Sequence, residues 1–249
     1  MVEVRAGDER SVVVLHVPHA GTEIPAWTRP HLLLDDAALA AEVAALTDHR
    51  TDVVAAAAAD TARMRPWVLV NPVSRFVVDV ERFPDEREEM AAVGMAAVYT
   101  HGTRGQRLRA DHPAHRDALL AAFYDPWAAA VERVVAQRLA VTGRAVLIDV
   151  HSYPRDPLPY ERHGDGPRPP VCLGTDPVHT PRWLVEAARR AFGPALATAL
   201  DTPFSGAYVP LSRHGTDRRV SALMVEVRRD GAEDAVVAAL TALVDAVGT

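Results

Sequence analysis

The sequence predicts an α/β protein built on a largely parallel sheet, and three observations lead to this prediction. Apolar runs over residues 12–17, 145–150 and 220–227 are typical of strands that are buried on both faces. Helix-like segments alternate with these strand-like segments along the chain. Gly143 separates a long amphipathic segment from the second run, as in the helix-to-strand connections of parallel sheets.

The size and composition favour one domain that spans residues 1–249. Hydrophobic residues make up 49% of the chain, which is enough for a full core. The formal net charge of −6 gives no basic surface for nucleic acid or for an anionic membrane. No uncharged apolar run reaches the length of about 18 residues that spans a membrane. These features favour a small-molecule substrate, and the sequence carries no signal for the oligomeric state.

The first ten residues are charged and lack the apolar segment of a signal peptide, so we expect a cytoplasmic protein. Cys172 is the only cysteine, which excludes an internal disulfide and a cluster of thiolate ligands. Any bound metal must therefore be held by histidine and carboxylate side chains.

The segment 35–60 is rich in alanine, with leucine and valine among the alanines, and predicts one or two helices. A polar cluster over residues 47–52 interrupts it. Threonine and aspartate often cap helices, because their side chains accept hydrogen bonds from free backbone amides. Asp48 therefore has two interpretations: it belongs to a helix cap, or it approaches the metal or the substrate.

Residues 67–70 and 76–80 predict two short strands around a turn. Arg75, Asp79 and Arg82 are embedded in this apolar region. Asp79 and one arginine either close a strand end as an ion pair, or one guanidinium faces the site. In the second case its planar fork would match a carboxylate of the substrate.

Apolar spacing, glycine and proline predict the remaining elements. Leucine, valine and aromatic residues recur every three or four positions over 115–141, which indicates a long helix. The other predictions, in chain order, are a loop over 84–113, a proline-rich surface loop over 154–170, a strand over 171–174, a helix that begins near 180, a turn with edge-strand character over 202–209 and a closing helix over 232–247.

Polar side chains lie at the ends of the buried strands. His19 follows the first strand and His151 ends the central one, so both are expected at the carboxyl edge of the sheet. Imidazole and carboxylate groups suit one Zn²⁺ ion, and another divalent metal is the alternative. Glu23 is the nearest candidate for the third ligand, with Asp48 as its rival. Glu226 lies in an apolar strand, where burial raises the pKa of a carboxyl group, and this favours a role as general base.

A series of ordered segments covers most of the chain: 18–25 (PHAGTEIP), 74–82 (SRFVVDVER), 149–152 (DVHS), 172–176 (CLGTD) and 203–208 (PFSGAY). In this order they resemble the N-formylglutamate amidohydrolase family. More distantly, 151–153 and 225–230 are similar to segments of zinc carboxypeptidases. The resemblance implies a zinc-carboxypeptidase-like (phosphorylase/hydrolase-like) fold, in which a mixed sheet has helices on both faces and a zinc ion at its carboxyl edge.

The resemblance also implies roles for individual residues. His19 and His151 would be metal ligands and Glu226 the base. Arg75 and Arg82 would hold carboxylates of the substrate. The wall of the pocket would be formed by Ser205, Gly206 and Tyr208.

Two positions depart from the family pattern. Zinc carboxypeptidases place the glutamate ligand three residues after the first histidine, where this chain has Thr22, while Glu23 is four residues away. The family segment commonly ends in Asn-Arg, whereas Glu81 precedes Arg82 here. A carboxylate beside the arginines would oppose a dianionic substrate, because a like charge within about 5 Å costs on the order of 3 kcal/mol at an effective dielectric constant near 20.

The leading hypothesis is metal-dependent hydrolysis of the amide bond of a small N-acyl amino acid. Resemblance makes N-formyl-L-glutamate the named substrate, converted to L-glutamate and formate in histidine degradation. One alternative is another N-acyl-amino-acid amidohydrolase or a carboxypeptidase-like peptidase. A second alternative is a non-catalytic protein that binds a metal or a ligand on the same scaffold.

Overall fold

The computed structural model describes residues 2–161 and 166–248. Its strands are β1 (Glu3–Arg5), β2 (Val13–Val17), β3 (Trp67–Val70), β4 (Ala145–Tyr153), β5 (Val171–Gly174), β6 (Thr198–Leu200) and β7 (Val220–Arg228). Its α-helices are α1 (Asp36–Leu46), α2 (Thr51–Thr61), α3 (Pro113–Leu119), α4 (Asp125–Thr142), α5 (Arg182–Phe192) and α6 (Glu233–Val247).

The seven strands form one sheet with the order β1-β3-β2-β4-β7-β5-β6. Neighbouring strands are parallel from β3 through β2 and β4 to β7, and β5 is parallel to β6. The β1–β3 and β5–β7 pairs are antiparallel. The prediction of a mixed, largely parallel sheet is therefore confirmed, and the one sheet organises a single domain.

Strand β4 lies at the centre of the sheet, and all nine of its residues are buried. Helix α4 ends at Gly143, whose φ of 78° lies in the left-handed region that glycine adopts without strain. The chain then enters β4 at Ala145, as the sequence predicts. In this register His16 of β2 lies beside Asp149, and Glu226 of β7 lies beside His151.

Helices cover both faces of the sheet. One core contains apolar residues of α2, α5 and α6, packed against one face. A second core contains α4, packed against the opposite face. A third, smaller cluster joins α1 to the loop that includes Phe76 and Tyr99. Apolar burial on both faces explains why the inner strands have nearly continuous apolar sequences.

The structure corrects two of the predicted strands. Residues 76–80 form turns and irregular backbone outside the sheet, although this apolar run is buried. A short apolar run buried under a loop has the same composition as a buried strand, so the sequence does not separate them. Residues 202–209 also form no strand, and the edge strand at this end of the sheet is β6, just before them. Strand β1 was not predicted.

The predicted helices are present, with two refinements. The polar cluster at 47–52 does divide the first helical segment into α1 and α2. The long helix begins at Pro113 as α3 and passes through a π-helical turn, Leu120–Tyr124, before it continues as α4. Among the residues that the structure describes, none of the helices is long and apolar enough to cross a membrane.

Candidate metal centre and substrate cleft

A cleft of about 490 Å³ opens at the carboxyl ends of β2, β4 and β7. This is the edge at which open parallel sheets bind ligands. The candidate residues of the sequence that line it are His19, Asp48, Arg75, Arg82, His151, Ser205, Gly206, Tyr208 and Glu226. The structure therefore brings together all of the predicted site residues except Glu23.

Alternation along the strands gives the cleft its polar floor. Leu147, Asp149 and His151 lie on the same face of β4, because successive side chains point to opposite faces. Leu147 packs in the core beneath α4. The face changes from apolar to polar one pleat later, at Asp149. His16 of β2 is the neighbour of Asp149, and Glu226 of β7 is the neighbour of His151.

His19, Asp48 and His151 form a compact buried group with ligand atoms close enough to share one metal ion. Asp48 Oδ2 lies 2.8 Å from His151 Nδ1 and 3.8 Å from His19 Nδ1. The two imidazole rings are 5.1 Å apart between centroids. Two nitrogen atoms and one carboxylate oxygen are a common protein ligand set for catalytic zinc.

Of the two carboxylates that the sequence offers as the third ligand, Asp48 reaches both histidines and Glu23 does not. Its side chain does not cap α2: Arg50 occupies the cap position, with φ 59°, and provides no side-chain hydrogen bond to the helix. Glu23 is exposed, and its backbone forms a bridge with Val73. Glu23 N donates to Pro72 O at 3.0 Å, and its side chain does not line the cleft.

Asp79 orients the first histidine. Its Oδ1 lies 2.8 Å from His19 Nε2, so the Nδ1 atom of the same ring faces the group of ligands. Arg75 donates to Asp79 Oδ2 from Nη2 at 2.6 Å, and Tyr99 also donates to this oxygen. Burial alone would raise the pKa of Asp79, but Arg75 and His19 hold it well below its ordinary value. The buried carboxylate therefore stays ionised behind the ligand.

The arginines of the cleft have different partners. Arg75 forms an ion pair with Asp79, although no strand ends at this point, and Arg75 also lines the cleft. Arg82 lies 3.6 Å from Asp79, and its Nε atom makes no hydrogen bond to the described residues. Arg229, which was not predicted, also lines the cleft, and its Nε atom has no hydrogen-bond partner among the described residues.

Glu226 lies in the cleft next to His151 across the β4–β7 pair. Its Oε2 atom is buried and makes no hydrogen bond within the described part of the chain. Burial, which disfavours the charged form, raises the pKa of Glu226 to about 8. A carboxyl group that titrates near neutral pH is suited to take up and release a proton.

Three further residues near the predicted ligands were not predicted as site residues: His16, Glu81 and Asp149. They form a second buried or half-buried group with ligand atoms close to one another. Glu81 points to the histidines, with Oε2 at 3.4 Å from His19 Nδ1 and 3.3 Å from His151 Nε2. Its charge is thus directed toward the floor, where the histidines lie.

The carboxylates around His151 favour positive charge at this position. Burial opposes protonation of His151, yet the nearby carboxylates, Asp149 and Glu81 first among them, raise its pKa well above the ordinary value. A divalent cation satisfies the same carboxylates and leaves the imidazoles neutral, as metal ligation requires. The residues present therefore fit a bound divalent metal.

A family model described as N-formylglutamate amidohydrolase matches residues 11–232, a range that contains every residue of the cleft floor. The chain belongs to the N-formylglutamate amidohydrolase family. Membership identifies it as an amidohydrolase that acts on a small molecule. A comparison with curated proteins finds no match.

Two solved structures share the fold of this family member. The N-formylglutamate amidohydrolase from Ralstonia eutropha JMP134 has a TM-score of 0.79 and 18% identity, over 98% of this chain and 95% of that one. A gene product from Agrobacterium tumefaciens has a TM-score of 0.72 and 20% identity, over 96% of this chain and 90% of that one. At these identities the two structures establish the fold, and the family match establishes the membership.

Proposed function

We propose that this amidohydrolase is metal-dependent and converts N-formyl-L-glutamate to L-glutamate and formate, a step of histidine degradation. The observation that carries the proposal is the convergence of His19, Asp48 and His151 at the floor of the cleft. Glu226 and several arginines line the same cleft. The cytoplasmic location stays a prediction from the sequence.

His19, Asp48 and His151 would hold the metal, with zinc as the leading candidate. The Nδ1 atom of His19 is buried and has no hydrogen-bond partner among the described residues, although it faces Asp48. A buried nitrogen of this kind is costly unless it binds a ligand. When bound, the metal would polarise the amide carbonyl and acidify a water molecule.

Glu226 is the proposed proton carrier. It takes one proton from the attacking water, whose oxygen forms the new bond to the formyl carbon. When the carbon–nitrogen bond breaks, Glu226 returns that proton to the leaving nitrogen of glutamate. The formyl group leaves as formic acid, which retains the second proton of the water and releases it to solvent to give formate. The pKa of about 8 places both protonation states within reach near neutral pH.

Arg82 and Arg229 are the proposed partners of the two substrate carboxylates. Both line the cleft, and each has an Nε atom without a hydrogen-bond partner in the described residues. Guanidinium groups bind carboxylates through two parallel hydrogen bonds. Arg75 serves in this proposal to hold Asp79, because its Nε and Nη2 atoms already donate there.

The backbone of residues 205–208 forms the opposite side of the cleft. Tyr208 stacks on His16, with ring centroids 4.3 Å apart and planes at 14°, and its backbone N donates to Asp149 Oδ2 at 3.3 Å. Ser205 and Gly206 lie next to it along the cleft. We propose that this wall limits the size of the acyl group, in agreement with a formyl substrate.

The test is a substrate panel at equal concentrations, containing N-formyl-, N-acetyl- and N-succinyl-L-glutamate and a dipeptide with C-terminal glutamate. Protein stripped by a chelator is compared with protein reloaded with zinc. We expect the highest kcat/KM for N-formyl-L-glutamate, and only with metal. A preference for the dipeptide would indicate a carboxypeptidase-like peptidase, and preference for another acyl group a different amidohydrolase.

His151→Ala separates a catalyst from a binding protein. We expect loss of zinc and of turnover, by more than the 10- to 100-fold typical of residues behind the ligands. His101→Ala is the control, because this half-buried histidine lies outside the cleft. Full turnover in His151→Ala, or zinc binding without hydrolysis of any substrate in wild type, would contradict the proposal.

A further inference from the structure

We propose that the centre holds two divalent cations, the second one between His16, Glu81 and Asp149. The proposed function needs only the first group, so this inference goes beyond it. The three side chains are contributed by β2, by the loop after Phe76 and by β4, and their ligand atoms lie within 4.8 Å of one another.

The second group repeats the geometry of the first. In the first group, the histidine-to-carboxylate distances are 2.8 Å and 3.8 Å, both to Asp48 Oδ2. In the second, His16 Nδ1 lies 2.7 Å from Asp149 Oδ1 and 3.6 Å from Glu81 Oε1. Ligand atoms about 2.1 Å from one tetrahedral ion are about 3.4 Å apart, and both groups bracket this value.

Glu81 connects the two groups. Its Oε1 is directed to His16 of the second group, whereas its Oε2 lies 3.4 Å from His19 Nδ1 of the first. A carboxylate with one oxygen toward each group has the arrangement of a bridging ligand. Bridged ions in two-metal hydrolases are about 3.5–4 Å apart, a spacing that one carboxylate spans.

An unpartnered imidazole nitrogen gives a second, independent observation. His151 is 4% exposed, and its Nε2 atom lies 3.0 Å from Asp149 Oδ1 and 3.3 Å from Glu81 Oε2. Within the described residues this Nε2 atom nevertheless has no hydrogen bond of acceptable geometry. This buried nitrogen thus faces two carboxylates of the second group without being satisfied by them.

Charge also favours a second cation. Glu81 and Asp149 both line the cleft that would receive an anionic substrate. One nitrogen and two carboxylate oxygens suit Zn²⁺, Co²⁺ or Mn²⁺. A cation in the second group would neutralise the two carboxylates and leave the arginines to attract the substrate.

The test counts the ions. Chelator-treated protein is titrated with Co²⁺, freed of excess metal, and assayed for bound cobalt and for its electron paramagnetic resonance signal. We expect about two equivalents in wild type and in the control His101→Gln. The signal per cobalt should be attenuated, because a shared carboxylate couples the two ions magnetically.

Two variants locate the second ion. His16→Phe keeps an aromatic ring against Tyr208 but removes the nitrogen ligand, and Glu81→Gln removes the bridging charge. We expect each to bind about one equivalent, with the full signal of an isolated ion. The second variant keeps the test valid if the first does not fold, as judged by circular dichroism.

One equivalent in wild type, or two equivalents in both variants, would overturn the two-cation proposal. One equivalent together with N-formyl-L-glutamate hydrolysis would do so while leaving the proposed function intact. Two equivalents without hydrolysis of any substrate would support the second site and contradict the proposed function instead.

Discussion

The two faces of the central strands differ at the same level of the sheet. On the face toward α2, α5 and α6, the strands are apolar over most of their length: Leu15 and Val17 in β2, Ile148 and Val150 before Ser152 in β4, and Leu223, Val225 and Val227 in β7. On the face toward α4, apolar residues give way to polar ones: Val14 to His16 in β2, Leu147 to Asp149 and His151 in β4, and Ala222 to Glu226 in β7.

This contrast shows how one strand serves stability and chemistry together. The apolar face packs against helices over most of the strand. The other face contributes to the core at its beginning and to the cleft at its end. Substitutions one to three residues apart should therefore have opposite consequences for activity and for stability.

Glu226→Gln on the cleft face should have the largest effect. The variant keeps the shape of the side chain but no longer takes a proton, so we expect kcat to fall by about 10²–10⁴-fold. Cation content should stay at the wild-type value, because Glu226 belongs to neither ligand group. Steady-state kinetics and metal analysis measure both quantities, and a near-wild-type kcat would remove Glu226 from the proposed chemistry.

Leu223→Ala on the opposite face should reverse this pattern. The side chain is fully buried, so the cavity should lower the free energy of unfolding by about 2–5 kcal/mol. The folded fraction should keep the wild-type kcat, because Leu223 points away from the cleft. Urea unfolding and kinetics at low temperature test this. A large loss of kcat would show that the two faces are not independent.

The pH dependence of stability offers a third test. Burial raises the pKa of Glu226 from 4.5 to about 8 in the cation-free protein. A raised pKa in the folded state contributes stability below about pH 4.5 that is lost as the pH rises toward 8. Glu226→Gln removes the ionisable group and with it this loss. The free energy of unfolding of the variant, relative to that of wild type, should therefore increase by on the order of 3 kcal/mol between pH 4.5 and 7. A constant difference in urea unfolding across this range would contradict the raised pKa.

Asp79→Asn should give the smallest of these effects. The side-chain amide of the variant still contacts His19 but lacks the negative charge that fixes the orientation of the His19 ring. Cation affinity should therefore fall by about 10- to 100-fold. Asp60→Asn is the matched control, because Asp60 is exposed and pairs only with Arg65 in the described structure. Competition with a chelator of known affinity measures the change, and equal affinities for the two variants would refute an orienting role for Asp79.

Long buried elements were the predictable part of the fold. Strands β2, β4 and β7 are apolar over most of their length, and α4 has a clear helical repeat followed by Gly143. The three-residue strands β1 and β6 lie at the sheet edges, where too few residues are paired to leave a pattern. The run at 76–80 misled the prediction because a buried loop needs the same apolar residues.

The site was predictable where a strand end fixes position. His19, His151 and Glu226 follow from this rule, whereas Asp48 depends on how the α1–α2 turn meets the sheet. Glu23 is closer than Asp48 to His19 in the sequence, but its side chain is directed to solvent. His16 and Asp149 did leave a signal, since each breaks an apolar run on the face that also carries His151. Only the register of β2 against β4 shows that they are neighbours.

The distribution of site residues between strands and loops has a consequence for the evolution of such enzymes. His16, Asp149, His151 and Glu226 are held by paired strands, while the mouth of the cleft is formed by loops near residues 82–90, 154–161 and 204–211. Loops tolerate substitution and insertion better than paired strands. Descendants of this fold can therefore acquire a different acyl preference through changes in the loops at the mouth of the cleft, while the paired strands keep the site residues in place.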